Sequence, residues 1–595
     1  MCGFAGALER QPGSSGLARV EQAMQCLLRR GPDAGGAEVL EVAGWTASLG
    51  HRRLRIIDLD DRSAQPFHRG ALTLLFNGEV YNYVELRQEL EALGATFRTT
   101  SDTEVVAAAW EAWGHGAFAR FDGMFALAIV DAQHDVLILA RDAFGEKPLF
   151  VSATPDRVAF GSTADAVLAM REGEAPVVSQ AFISAFVTLG FVPAPLTVWE
   201  GMEKLAAGEI RQLDLRSGAW QVTHVAAVDA VGPSGTDRFD IVAFETLMTE
   251  SLSRRLRADV PLALLLSGGI DSAYIAALMR RSLQRDVLAV TIHDRIDSTE
   301  EIDRAARVCR TLGIEHRLVR MPVRPLAAVI ADALPAMDEP IGDPAFPMLC
   351  ELYAHVPPEL RVVLTGDGAD ELFLSYSSFR RMLTPGRGIV GVAGAALRGV
   401  LGTGWARGTT LRRRVSERLA MDASLDPGER FRLLGALAGW EDALSCAGAP
   451  SIMPRGAGPA ALYRHSLAHE LPEYLLMKAD RASMLHSFES RTPYLSMPLL
   501  RYVLACSPAS VDLGHKRHIT TRLETLLGED LSFTKRGFFA SGQEQLERAG
   551  RDWHPALRRS RHGVLLAAAQ DRRRVDALTY YRLHVLHEWL VLRCA

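Results

Sequence analysis

The sequence predicts a mixed chain of two domains, α+β in its first half and α/β in its second, and three observations carry that prediction. β-Branched and apolar runs closed by turn residues crowd residues 1–210. A stretch rich in Gly, Pro, Ser and Asp at residues 222–240 breaks the pattern. Beyond it, strands and helices alternate as in a doubly wound parallel sheet. The expected organisation is a first domain over 1–210, a linker over 211–240 and a second domain over 241–595.

The elements follow in order. LTLLFNGEVYN, FALAIVDA and DVLILARDA read as strands of the first half, with helices over 84–93 and 103–113. Asp or Asn precedes these helices in capping position. After the linker comes a helix, then VPLALLLSGGIDSAYIAALMRRS: a buried strand, a Gly-containing turn and a helix. VLAVTIHD is a second strand, residues 300–312 a helix, and VVLTGDGADELF a third strand ending in an acidic turn. From about residue 380 the chain reads as helical to its end.

Composition excludes several classes. The chain has 595 residues, 48% apolar and 23% charged, which is the profile of a globular protein rather than a disordered or fibrous one. Sixty-six Lys+Arg against 71 Asp+Glu leave a net charge of −5, so there is no general pull on nucleic acid or acidic membranes. The arginine run Arg412 to Arg414 reads as a solvated helix face. Seven scattered cysteines with no CxxC pair argue against a disulfide framework or a zinc site. The opening MCGFAGALERQPG has no secretory pattern, and the apolar patch 388–401 is short and broken by Arg398. A reduced, cytoplasmic protein without a nucleic-acid or membrane partner is expected, and a homodimer stays open.

SGGIDS (267–272) sits where a buried strand turns into a helix. Ser267, Gly268 and Gly269 let backbone amides face an anion, and Ser272 adds a hydroxyl at the positive end of the helix dipole. It is no Walker motif, since GxxxxGK[ST] is missing. The turn resembles the loop of the ATP pyrophosphatase superfamily, which releases pyrophosphate and leaves AMP on a carboxylate. TGDGADE places Asp367, Asp370 and Glu371 just after a strand. Such a run is equally a solvated acidic loop. Beside a triphosphate, however, carboxylates need a cation between them, and Mg²⁺ prefers this oxygen-rich setting.

Cys2 directly follows the initiator Met. Removal of Met1 would leave a free α-amine able to serve as general base to its own thiol. MCGFAG resembles the opening of N-terminal-nucleophile glutaminases. RRGPD (29–33), HRRLRIID (51–58), FNGEVYN (76–82) and SDTE (101–104) match further motifs of that family in order. By this resemblance, Asn77 and the Gly78 N–H would form the oxyanion hole. Arg53 would hold the glutamine α-carboxylate, Glu79 and Asp102 its α-ammonium, and Leu54, Ile56 and Ile57 the rest of the pocket. Taken alone, Asn77-Gly78 reads as well as a hairpin turn.

With RDAFGEKPL (141–149), MDEPIGDP (337–344), KADRASMLHSFESRTPYL (478–495) and KRGF (535–538), the chain resembles the glutamine-hydrolysing asparagine synthetase family. The resemblance implies an αββα sandwich glutaminase domain, then an ATP-pyrophosphatase-type parallel-sheet domain with a helical C-terminal extension. It implies that ammonia from glutamine crosses a tunnel to an acyl-adenylate, giving an amide, AMP and pyrophosphate. By matched position, Leu266, Ser267, Gly268, Gly269, Asp271, Ser272, Ile292, Thr365, Gly366 and Asp367 would bind ATP. Asp271 and Asp370 would hold the metal, Mg²⁺, and Lys516 would stabilise transition-state charge.

The sequence departs from the family pattern in the second half. Leu374-Ser375-Tyr376 replaces Gly-Gly-Tyr, Ala345 a Ser, Tyr494-Leu495-Ser496 a Phe-Leu-Asp, Thr520 an Arg, and His293 a Gly. None falls in the glutaminase set. They cluster in the synthetase half, where Leu in place of Gly fills space and would give the acceptor pocket a different shape. By the resemblance, aspartate is the first acceptor to consider. Another carboxylate, of a natural product, sugar or peptide (including lasso-peptide-type cyclisation), is the second, and an inactive regulatory homologue is the third.

Overall fold

The computed structural model describes residues 2–10, 16–171, 175–225, 235–293, 299–383, 458–528, 553–559 and 577–594. The KRGF motif, the arginine run 412–414 and the apolar patch 388–401 lie outside these residues.

Among the described residues, twelve strands form the first half: β1 (Gly3–Glu9), β2 (Ala34–Val42), β3 (Trp45–Arg53), β4 (Phe67–Arg69), β5 (Leu72–Val80), β6 (Gly123–Asp131), β7 (Val136–Arg141), β8 (Phe150–Thr154), β9 (Arg157–Gly161), β10 (Glu203–Lys204), β11 (Glu209–Asp214) and β12 (Trp220–His224). They make two six-stranded sheets, ordered β10-β8-β9-β1-β3-β2 and β12-β11-β7-β6-β5-β4. Alternation decides which residues face inward. Phe4, Leu8, Leu49 and Phe160 of one sheet meet Leu75, Ala128, Val130 and Leu139 of the other. Helices α1 (Gly16–Cys26) and α4 (Ala164–Met170) cover the first sheet. Helices α2 (Tyr83–Ala92) and α3 (Asp102–Trp113) cover the second. The αββα sandwich is thus formed. The start of α3 is set by Ser101, whose side chain accepts from the Thr103 N–H at 3.1 Å.

The expected linker takes in residues 211–224, yet 211–214 and 220–224 lie in strands of the second sheet. β11 pairs with β7 up to Asp214, and β12 pairs with β11. The reason is local: every residue of β12 is exposed, so this edge strand has no buried face to imprint an apolar pattern.

The second half begins with α6 (Ile241–Arg255), preceded in the chain by α5 (Gln180–Leu189) of the first half. Its sheet contains β13 (Leu262–Leu265), β14 (Leu288–His293), β15 (His316–Arg320), β16 (Val362–Leu364) and β17 (Glu489–Arg491), all parallel, in the order β15-β14-β13-β16-β17. Helices α7 (Ile270–Arg281) and α8 (Thr299–Leu312) follow β13 and β14. The chain runs outward from β13 to β15 and then returns to β16 on the other side of β13. That reversal makes the carboxyl ends of β13 and β16 the switch point of the sheet, where doubly wound folds bind ligands. The C-terminal helix Ala577–Cys594 packs back on the first half. Its Trp589 ring lies 5.7 Å from that of Trp199, and Arg593 pairs with Asp165 at 2.7 Å.

Candidate active sites

The first cluster surrounds Cys2 at the start of β1. Cys2 is buried, and its N–H donates to Asn77 Oδ1 at 3.1 Å. Its thiol lies 3.9 Å from the accepting Leu54 carbonyl. Burial pushes the thiol above its ordinary value, while the terminal ammonium pulls it down. Asn77 is fully buried on β5, and its Nδ2 has no hydrogen-bond partner. A buried amide donor without an acceptor is costly unless something visits it. Gly78 follows in register with Phe125 of β6. A Cβ there would stand 2.1 Å from the Met124 carbonyl oxygen, so only glycine fits.

Two carboxylates sit beside this cluster. Asp102 opens α3 and accepts from the Val80 N–H at 3.0 Å. Burial, reinforced by nearby Glu489, pushes its pKa up to about 6. Glu79 is raised well above the usual carboxylate range by burial and by its neighbours Asp102 and Glu489. Its Oε1 lies 3.6 Å from Arg491 Nη2, and its Oε2 has no hydrogen-bond partner. Two buried acids side by side favour a cationic guest.

Arg53, expected to grip a carboxylate, is engaged by backbone. The carbonyls of Ile57 and Asp60 accept from it at 3.2 and 2.9 Å, and that of Asp58 at 2.5 Å. These bonds shape the 54–60 loop. Leu54, Ile56 and Ile57 in that loop pack against Val362 of β16. The glutamine loop expected from sequence therefore rests directly on the second domain.

The second cluster lies at the switch point. Gly269 caps α7, and Gly268 has φ +75°, with a Cβ position only 2.2 Å from the Glu301 carbonyl oxygen. Ser272 Oγ lies 3.2 Å from Ser267 Oγ and accepts from the Ser267 N–H at 3.3 Å. Leu266 donates its N–H to Val290, one strand over, and Ile292 lies further along the same strand. The second loop comes close: a Cβ on Gly366 would stand 3.0 Å from Asp271 Cβ. Thr365 Oγ1 donates to Asp367 at 2.9 Å. Lys516, at the start of the helix Arg517–Leu527, reaches Asp271 and Asp370, both at 2.7 Å. The nucleotide residues expected from sequence thus meet at one rim, with Lys516 between the two expected metal ligands.

Comparison with known proteins agrees with this geometry. Residues 1–223 match the glutamine amidotransferase domain family, and residues 243–577 match the asparagine synthase family. A Mycobacterium tuberculosis protein named as a glutamine-hydrolysing asparagine synthetase is 31% identical over 534 residues, covering 83% of this chain and 80% of that one. The chain belongs to the asparagine synthetase family. Asparagine synthetase 1 of Bacillus subtilis is 31% identical over 391 residues, covering 64% of this chain and 60% of its own. A Penicillium rubens protein named amidase chyE is 29% identical over 385 residues, covering 61% of this chain and 55% of its own. The chain is an asparagine synthetase-type, glutamine-dependent carbon–nitrogen ligase that uses ATP. Among the described residues, no helix is long and apolar enough to cross a membrane.

The departures from the family pattern have structural partners. Leu374 is fully buried yet adopts φ +47°, a conformation made for the usual glycine. Ser375 donates its hydroxyl to Asp370. Thr520 Oγ1 donates back to the Lys516 carbonyl at 2.9 Å, so no side-chain cation projects from this position. A buried polar network joins the two halves, and no local pattern in the sequence marks its pairings. Arg30 pairs with Asp480 at 2.7 Å, Arg141 with Glu473 at 2.8 Å, and Lys204 with Glu473 at 3.0 Å. The motifs RRGPD, RDAFGEKPL and KADRAS contain three of these charges, and charge in otherwise buried segments was the available signal.

Proposed function

We propose that Cys2 hydrolyses glutamine, that the switch-point loops adenylate a carboxylate with ATP, and that the released ammonia converts the acyl-adenylate to an amide. The observation that carries this reading is the Cys2–Asn77 pair, with its unused Asn77 Nδ2. It forms a nucleophile beside a ready oxyanion donor, buried against the ATP domain. With Met1 removed, the Cys2 amine would take the thiol proton, and the thiolate would attack the glutamine amide carbon. Asn77 Nδ2 and the Gly78 N–H would meet the oxyanion. Glu79 and Asp102 would receive the α-ammonium.

In the second site, Gly268, Gly269 and Ser272 would hold phosphate oxygens at the start of α7. Asp271 and Asp370 would hold Mg²⁺. Two carboxylates suit an ion that takes its remaining oxygens from phosphate and water. When bound, the metal would neutralise pyrophosphate charge. Lys516, now bridging the same two carboxylates, would turn its ammonium to the phosphoryl oxygens.

Aspartate is the first acceptor on family grounds, giving asparagine. One observation favours a second reading, a different carboxylate. Thr520 turns back on Lys516 and supplies no cation for the second carboxylate of aspartate, and Leu374 fills space with a side chain. A relative named as an amidase is consistent with that alternative. ATP–pyrophosphate exchange across a panel of carboxylates decides between them. Exchange supported by aspartate above all others establishes asparagine synthesis, and exchange supported only by another acid replaces it.

A further inference from the structure

Cys2 is held at both ends by side chains. Its N–H donates to Asn77, and its carbonyl oxygen accepts from Arg30 Nε at 3.1 Å. The remainder of the Arg30 fork meets Asp480 in a bidentate pair, Nη1 to Oδ2 at 2.7 Å and Nη2 to Oδ1 at 3.1 Å. Asp480 lies 450 residues away, on the helix Met477–Leu485 of the second half. Arg30 is 5% exposed and Asp480 3%.

We propose that Asp480 is a positioning residue for glutamine hydrolysis, acting through Arg30 on the Cys2 carbonyl. The proposal rests on the reading of Cys2 as the glutaminase nucleophile. A guanidinium is planar, and fork-to-fork pairing with a carboxylate leaves it one orientation. Fixing that plane fixes the direction of Nε–H and hence the Cys2 carbonyl. The carbonyl sets the Cys2 backbone torsion, and so where its thiol stands relative to Asn77.

Electrostatics make Asp480 the member that matters. Lys147, also buried, has its Nζ 3.8 Å from Asp480 Oδ1. Removing the carboxylate charge leaves two buried cations sharing a lost counter-ion, which is costly and drives the guanidinium to move. Burial alone would raise the Asp480 pKa, but Arg30 and Lys147 hold it below the usual range, so the carboxylate stays charged near neutrality. The same helix anchors the 338–343 segment: Arg481 bonds Asp338 at 2.6 Å and Lys478 bonds Asp343 at 2.5 Å. The nucleophile is thereby aligned from the ATP domain as well as by Asn77 within its own sandwich.

The test uses the full chain with L-glutamine and no acceptor. It compares wild type with Asp480→Asn, Arg30→Lys and the double variant. Asp480→Asn keeps the volume and one acceptor, and the Kd for the ATP analogue reads whether the fold survives the lost charge. The expected result is a fall in kcat for glutamate release of about 30- to 100-fold, the scale of a small misplacement of a reacting group. KM for glutamine and the Kd for a non-hydrolysable ATP analogue stay within about threefold of wild type on the same grounds, since neither ligand touches Asp480. The double variant falls no further than Arg30→Lys. An unchanged kcat in Asp480→Asn overturns the proposal. So does a parallel loss of ATP affinity, which marks general structural damage, and so does a double variant whose loss is the product of the singles. A wild-type chain that releases no glutamate refutes the reading of Cys2 itself. Active wild type beside an unaffected Asp480→Asn refutes only the positioning role.

Discussion

Asn77 accepts from the Cys2 N–H through Oδ1 and keeps its buried Nδ2 without a hydrogen-bond partner. On the proposed reading, one side chain thus aligns the nucleophile and reserves a donor for the oxyanion. Asn77→Ala removes both roles. Glutaminase kcat should fall about 10²- to 10³-fold, the usual loss for one oxyanion donor. Synthesis from ammonium chloride should continue. Steady-state glutamate release against ammonium-dependent AMP release measures the split, and equal losses would refute the assignment.

Asp102 gives the glutaminase a pH signature. Its pKa is pushed up to about 6 by burial and then by the charge of Glu489. Below about 6 the carboxyl is neutral and attracts an ammonium weakly, so kcat/KM for glutamine should fall as pH drops through that value. The sign for stability is opposite. Between the unfolded value and about 6 the folded state binds the extra proton, so Asp102 favours folding at low pH and this contribution is lost as pH rises. In Asp102→Asn the acid limb of the kcat/KM profile should disappear and overall activity should drop. An acid limb that persists unchanged assigns it to another group.

Lys516 lies between Asp271 and Asp370 at 2.7 Å from each. Lys516→Ala removes the cation and leaves two carboxylates facing the triphosphate. Pyrophosphate release should fall at least about 10²-fold, as for loss of one charged transition-state contact. Basal glutamine hydrolysis should stay near wild type because Cys2 and its neighbours are untouched. A Lys516→Ala chain that still adenylates at the wild-type rate would remove Lys516 from the chemistry.

Leu374 sets backbone strain against burial. Leu374→Gly relieves a left-handed conformation worth about 1–2 kcal/mol. It also deletes a fully buried leucine side chain, and such deletions cost about 2–5 kcal/mol even when a methyl remains. Burial wins, so the variant should be less stable by about 2 kcal/mol, read as a lower Cm in urea. A more stable variant would show that the strain outweighs the packing.

Much of this was legible in the sequence where function and pattern coincide locally. The strand read in LTLLFNGEVYN is β5, and the helices read over 84–93 and 103–113 fall within one residue of α2 and α3. SGGIDS and TGDGADE announced their loops through Gly and Asp at strand ends. What stayed hidden has no local period. β17 is the triplet Glu489-Ser490-Arg491, wholly buried and polar, and its pattern reads as surface. β12 is wholly exposed and reads as linker. Arg53 reads as a ligand-binding fork, and its bonds to three backbone carbonyls a few residues on have no signal in the sequence. The Arg30–Asp480 pair spans 450 residues, and no spacing rule connects such charges.

The most direct measurement of the central claim, two coupled sites making an amide, is product analysis of Cys2→Ala beside wild type. Each is given Mg-ATP and the acceptor chosen by the exchange panel, with glutamine or with ammonium chloride as nitrogen source. Wild type should form the amide with AMP and pyrophosphate from either source. Cys2→Ala should do so from ammonium alone. Formation of ADP and phosphate, or loss of both nitrogen sources together in Cys2→Ala, would contradict the account.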